Sequence, residues 1–324
     1  MICGDVSIAG FIVNKTTKTV AKWVGGILLT VLLCWHLYHQ IRAQANAGAD
    51  FAWWPERTAG YLVAAVLLLP LNVCIEARKW QLLIATAIQA GFGQALRSML
   101  SGIAASMITP NRIGEYPARI LALRQASSTR LISVSVLGAC SQLLSLMIAG
   151  SAGLTYYCIA HPVTLHFILL GGTAVFTVAL GLLYFSFEQW APHIERIRFL
   201  RKLHMWARLL HRFTRSEQWT ILGISLLRFA VFTLQYMLLL YWQGISVPLA
   251  EGFLLCALFF WAMAIIPSIA LAELGIRGTV SVFLFAPFTH NIAGIAAATF
   301  ILWCINLVLP SLAGAALFFR RPAD

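Results

Sequence analysis

The chain has 324 residues, of which 60% are hydrophobic and only 10% charged, and its mean hydropathy is +0.83. Soluble domains carry roughly 25% charged residues, so this composition excludes a water-soluble enzyme and points to the lipid bilayer. The net charge of +12 falls in short stretches between apolar runs, a distribution that orients membrane helices; no nucleic-acid-binding module is visible.

In chain order, residues 1–22 read as a cytosolic tail, because Lys15, Lys18 and Lys22 stand directly before the first apolar run and no basic leader precedes them. Residues 23–319 read as one transmembrane domain. Six runs approach or exceed the roughly 20 residues that cross a bilayer: 23–41, 60–78, 131–158, 164–187, 218–243 and 291–318. The runs at 95–109 and 278–288 are too short and suggest half-helices, and 251–269 is ambiguous. The expected fold class is an all-α, polytopic membrane protein.

Charge bias gives every loop one consistent side. Arg78, Lys79, Arg124, Arg130, the basic stretch 188–217 and Arg320–Arg321 fall in the cytosol, while 42–57 and 160–163 fall outside. Both termini are thus expected in the cytosol, as in an inner (plasma) membrane protein. Lys79 and Arg130 share a side, so the chain between them crosses an even number of times, and two short pieces flanking Pro110 fit a re-entrant hairpin. Residues 251–288 can form a second hairpin, entering from the opposite face and broken at 267–278. Segments 60–158 and 218–318 would then be inverted-topology halves, with a site where broken helices meet. The alternative is that 251–269 simply crosses.

Within 188–217, apolar residues recur at helical spacing among Arg196, Arg198, Arg201, Lys202, Arg208 and Arg212. That is the pattern of a basic amphipathic helix on an anionic leaflet, each basic residue contributing about 1 kcal/mol. Setting topology by positive charge explains the same residues.

An ionisable residue at membrane depth costs about 2.5–3.5 kcal/mol even on gentle scales, so such residues mark candidate sites. Glu76 and Arg78, with Lys79 and Trp80, close the second run; Glu76 and Lys79 are spaced to pair across one helical turn, and snorkelling accounts equally for Arg78 and Lys79. Arg112, Glu115 and Arg119 surround a break after Pro110; a helix restarting near Ile113 puts Glu115 and Arg119 one turn apart and Arg112 near an anion-favouring N-terminus. Glu273 and Arg277 repeat that spacing after Pro267, and Arg228 with Gln235 adds a polar stripe. No phosphate-cradling glycine loop, nucleophile elbow or HExxH is present, and no metal or cofactor is expected. His36 and His39 share a helix face, and seven cysteines without a CxxC pair read as small apolar residues.

The runs NVCIEARKWQLL at 72–83, ITPNRIGEYPARIL at 108–121 and ELGIRGTV at 273–280 resemble the lysylphosphatidylglycerol synthase transmembrane-region family, also called the flippase-like domain. Pro110, Arg112, Gly114, Glu115 and Arg119 match its central motif, and Gly275 and Arg277 its late one. Arg78 and Trp80 match its Arg-Trp pair with Lys79 intervening. The resemblance implies a polytopic fold linked to lipid translocation or modification. The chain ends at Asp324, just after the last run, so the aminoacyltransferase domain of fused members is not expected and synthase activity is not carried over. The expected function is a flippase or transfer protein for an anionic or phosphate-bearing lipid, including the polyprenyl-phosphate type. An intramembrane head-group transferase or its accessory subunit is one alternative. A scaffold that recruits a cytosolic envelope-biosynthesis enzyme is the other.

Overall fold

The structure, a computed structural model, describes residues 59–109, 114–123, 128–195, 213–266 and 270–319, with the single positions 35, 38, 39 and 42. The side chains of 108, 128, 129, 187–195, 270–273, 318 and 319 lie outside that description. Also outside it fall the first apolar run apart from Trp35, Tyr38 and His39, the break residues 110–113 and 267–269, and the basic stretch 196–212.

The described elements are helices: α1 (Ala59–Ile84), α2 (Phe92–Ile108), α3 (Glu115–Ala122), α4 (Ser128–Ala160), α5 (Thr164–Glu195), α6 (Arg215–Trp242), α7 (Leu249–Ile265) and α8 (Ala270–Phe285). After a 3-10 turn at Ala286–Phe288, α9 (Ile292–Trp303) and α10 (Leu309–Phe319) run on through the π turn Cys304–Val308. Five segments are long and apolar enough to cross a membrane: Ala59–Ile84, Arg130–Ala160, Thr164–Ser186, Arg215–Trp242 and Ile292–Leu317. They coincide with five of the expected runs. This is a polytopic all-α membrane protein. Exposed Leu67, Ile168, Val175 and Phe283 are what a hydrocarbon solvent permits.

Two boundaries differ from expectation. Helix α1 continues to Ile84, so Glu76 and Lys79 lie inside a helix rather than at its end; their charge is tolerated because neighbouring helices supply partners. Helix α8 begins at Ala270 rather than near 278, because the Ala-Leu-Ala-Glu-Leu run after Pro267 consists of good helix formers. Glu273 and Arg277 therefore sit within a helix, not in a long break.

Helices α2 and α7 each have 17 residues, a rise of about 26 Å, short of the roughly 30 Å hydrocarbon core. Each is followed a few residues later by a second helix. Their packing is reciprocal: α2 lies along α10 and α7 along α4, while α1 and α6 lie against each other. Both crossings need a missing side chain. A Cβ on Gly153 of α4 would meet the Leu254 carbonyl of α7, and one on Gly314 of α10 would meet the Leu100 carbonyl of α2. Small residues permit such close approach of helices in membranes.

The buried apolar residues form two clusters. One gathers Tyr236, Trp242, Phe259, Phe285 and Ile295 around α6–α9. The other gathers Trp80, Leu83, Met99, Leu131 and Leu137 around α1, α2 and α4.

Candidate functional site

Glu76 is the centre of an ionic network inside the second cluster. Along α1, Asn72, Glu76 and Lys79 are spaced by four and three residues and thus share one face. That face meets α3, α4 and α6. Lys79 Nζ lies 2.9 Å from Glu76 Oε2, Arg119 Nη1 3.1 Å from Oε1, and Arg228 Nη1 3.1 Å from Oε2. One carboxylate therefore serves three cations brought from three helices.

Arg119 is held at both terminal nitrogens. Its Nη2 reaches Glu115 Oε1 at 2.5 Å, one turn earlier on α3. Its guanidinium carbon lies 5.3 Å from the Trp80 ring and 5.8 Å from that of Tyr116, a cation–π arrangement that gains from desolvation. The Trp80 indole N–H donates to Ser98 Oγ at 3.0 Å, and that hydroxyl donates to the Arg119 carbonyl at 2.7 Å. Gly102 of α2 makes room, since a Cβ there would collide with the Arg119 side chain and the Glu115 carbonyl. Across the break before α3, the Gly114 N–H donates to Thr109 Oγ1 at 2.9 Å.

Amides complete the network. Arg228 Nε donates to Asn72 Oδ1 at 3.0 Å, and Asn72 Nδ2 donates to Asn306 Oδ1 at 2.8 Å. Asn306 lies in the π turn of the last span, a distortion often found at functional positions. Gln142 Oε1 accepts from Lys79 Nζ at 3.1 Å and from Arg228 Nη1 at 3.3 Å.

Charge and exposure set what this arrangement can do. By formal charge, Lys79, Arg119 and Arg228 outnumber Glu76 and Glu115 by one among the described residues of the network. The Lys79 and Arg119 side chains are 4% and 5% exposed, whereas Arg228 is 20% exposed. Arg228 is thus the accessible cation of the three, and an anion arriving there would meet guanidinium donors as well as the excess charge.

Of the residues singled out in the sequence, the structure joins Glu76, Glu115, Arg119 and Arg228. Arg78 sits apart: two residues after Glu76, it is exposed on another flank, where Nη1 donates to half-buried Gln81 Oε1 at 2.6 Å. Arg277 lies on α8, within electrostatic reach of the buried Tyr236 hydroxyl, which shares a 2.7 Å hydrogen bond with Thr299. Arg112, the Glu273 side chain and the six basic residues from Arg196 to Arg212 lie outside the described residues. Gln235 bonds the Ala65 carbonyl at 3.0 Å, tying α6 to α1 away from the ionic network. Sequence reasoning missed Asn72, Gln142 and Asn306 as site residues; it paired Lys79 with Glu76 and gave snorkelling as the alternative. For Asn72 and Lys79 the shared face with Glu76 was the available signal.

Neither the curated proteins nor the solved structures contain a match to this chain. Residues 23–314 match the family described as the lysylphosphatidylglycerol synthase TM region. That match takes in four of the membrane-length helices whole and most of the fifth, so the chain belongs to the lysylphosphatidylglycerol synthase transmembrane-region family.

Proposed function

We propose that this protein translocates or transfers an anionic, phosphate-bearing lipid, and that the lipid's phosphate engages the Lys79–Arg119–Arg228 cluster. The observation that carries this reading is the shared Glu76 carboxylate, with three cations around it, one positive charge uncompensated and Arg228 partly open. A lone excess charge among membrane-spanning helices is costly, and a phosphate would neutralise it. In the empty state Glu76 and Glu115 hold the cations in place. A phosphate arriving at Arg228 competes with Glu76 for that guanidinium, while Arg119 keeps its bond to Glu115. No step leaves a buried charge unpaired, which is the expensive outcome.

Arg112 at the first break and Arg277 after the second are the further candidate phosphate contacts, with Glu273 offsetting Arg277. Residues 60–158 and 218–318 act as inverted halves. Equal lengths of α2 and α7 and their reciprocal packing support that division. Rocking of one half against the other then exposes the site alternately. The protein sits in the inner membrane with both termini in the cytosol, and Arg196, Arg198, Arg201, Lys202, Arg208 and Arg212 rest on the anionic leaflet.

Reconstitution into vesicles with fluorescent phosphatidylglycerol tests this, with leaflet exchange read by a quencher added outside. Exchange should exceed that of empty vesicles and fall at least about tenfold in Arg228→Gln. Equal exchange in the variant and the parent protein would refute the site.

A further inference from the structure

Beside the ionic network, between α3 and α4, lies a cavity of about 620 Å³, lined among others by Tyr116, Ile120, Leu121, Val136, Ala139 and Cys140. We propose that this groove seats one acyl chain of the phosphoglycerolipid whose phosphate engages the ionic network; the assignment rests on the function proposed above and adds where the lipid's tail goes.

The lining settles the chemistry of the occupant. Two residues lining the groove carry hydroxyls: that of Ser135 already donates to the Leu131 carbonyl at 2.7 Å, and the other is on Tyr116, whose ring also faces Arg119. The surface the groove presents is almost wholly carbon, so a head group gains little there and a hydrocarbon chain loses nothing. The volume lies within the roughly 300–1,000 Å³ of small-molecule sites. A protein helix is too thick: two turns about 10 Å in diameter fill roughly 850 Å³, more than the whole cavity.

Position links the groove to the charge. Helix α3 presents Tyr116 and Ile120, one turn apart, to the groove and Arg119 to Glu76. The Tyr116 ring belongs to both places, lining the groove while lying 5.8 Å from the Arg119 guanidinium carbon. A lipid can therefore lay its phosphate toward the network and one chain along α4 without stretching across the protein. Complementarity of charge on one side of α3 and of apolar surface on the other selects an amphiphile, not a soluble anion.

The test compares binding of dioleoyl- and dihexanoyl-phosphatidylglycerol to the purified full chain, in the parent protein, in Ala139→Trp and in Val136→Phe. Both substitutions add bulk inside the groove and touch none of the charged residues. Long-chain lipid should bind at least about tenfold more weakly to either variant, with short-chain binding unchanged. In a second measurement, with the other cysteines replaced, dioleoyl but not dihexanoyl lipid should slow alkylation of Cys140 by N-ethylmaleimide; this keeps the test decisive if a variant fails to fold. Unchanged long-chain affinity in both variants, or Cys140 alkylation indifferent to chain length, overturns the groove and leaves the ionic site standing. A fall in thermal stability with lipid affinity unchanged also overturns it, because a segment of this chain would then fill the groove. Binding of a polyprenyl phosphate alone overturns the acyl assignment. Failure of the parent protein to bind any of these lipids removes the proposed function itself.

Discussion

The α2–α3 and α7–α8 pairs are built alike and equipped differently. In each, a 17-residue helix stops and a second helix begins a few residues later, and the first helix crosses onto the last span of the other segment at a glycine. Glu115 and Arg119 recur 158 positions later as Glu273 and Arg277. At the same displacement, however, Glu76 becomes Leu234 and Lys79 becomes Met237. Around α3 the partner helix supplies a carboxylate and an ammonium group; near α8, α6 and α9 bring together the Tyr236 and Thr299 hydroxyls, and α6 also buries the uncharged Thr233 and Gln235. Packing geometry is thus common to both pairs, whereas the Glu76-centred charge belongs to one. Shape tolerates many apolar sequences of suitable volume; a buried ionic network requires every member.

The largest expected effect breaks the charged side of this comparison. Glu76→Gln leaves Lys79, Arg119 and Arg228 facing Glu115 alone, and removing one partner of a buried ion network costs about 3–5 kcal/mol. Denaturant unfolding in mild detergent should register that loss, or yield should collapse. Met237→Leu, the volume-conserving counterpart on α6, should cost less than about 1.5 kcal/mol.

A second pair of variants sharpens the shared part. Gly153→Ala and Gly314→Ala each push a methyl group into a backbone carbonyl of the crossing helix, at an expected cost of about 1–3 kcal/mol. Similar losses at both sites would support reciprocal packing; a loss at one alone would argue against it. Gly172→Ala, which meets nothing within 4 Å, serves as the control and should be neutral or slightly stabilising, since alanine is the better helix former.

The smallest effect concerns the Tyr236–Thr299 hydroxyl pair. Tyr236→Phe removes the hydrogen bond to Thr299 and should cost about 0.5–1.5 kcal/mol, with lipid exchange unaltered if the ionic network alone binds phosphate. Unfolding and exchange measured on one preparation separate the two consequences.

How much of this was legible in the residues follows from the range of each interaction. Runs of apolar residues are local, so five membrane-length helices and the shortness of 95–109 could be read directly. Pairs one turn apart, Glu76–Lys79 and Glu115–Arg119, were readable for the same reason, and both form. The joining of Glu76 to Arg119 spans 43 positions and that of Asn72 to Arg228 spans 156; no local pattern encodes them. A single amide such as Gln142 or Asn306 inside an apolar run leaves hydropathy almost unchanged, so its role emerges only from its neighbours. Lys79 shows the ambiguity clearly: a lysine near the end of an apolar run looks the same whether it reaches for water or is buried against Glu76 and Gln142.

The most direct test of the central claim is the lipid preference of Arg228→Gln, measured by competitive binding of phosphatidylglycerol and phosphatidylcholine to the purified protein. The parent protein should favour the anionic lipid at least about tenfold, equivalent to roughly 1.4 kcal/mol. In the variant that preference should disappear while the folded protein remains. A variant that keeps the preference would contradict the account, because the excess positive charge at Arg228 would then not be what recognises the lipid.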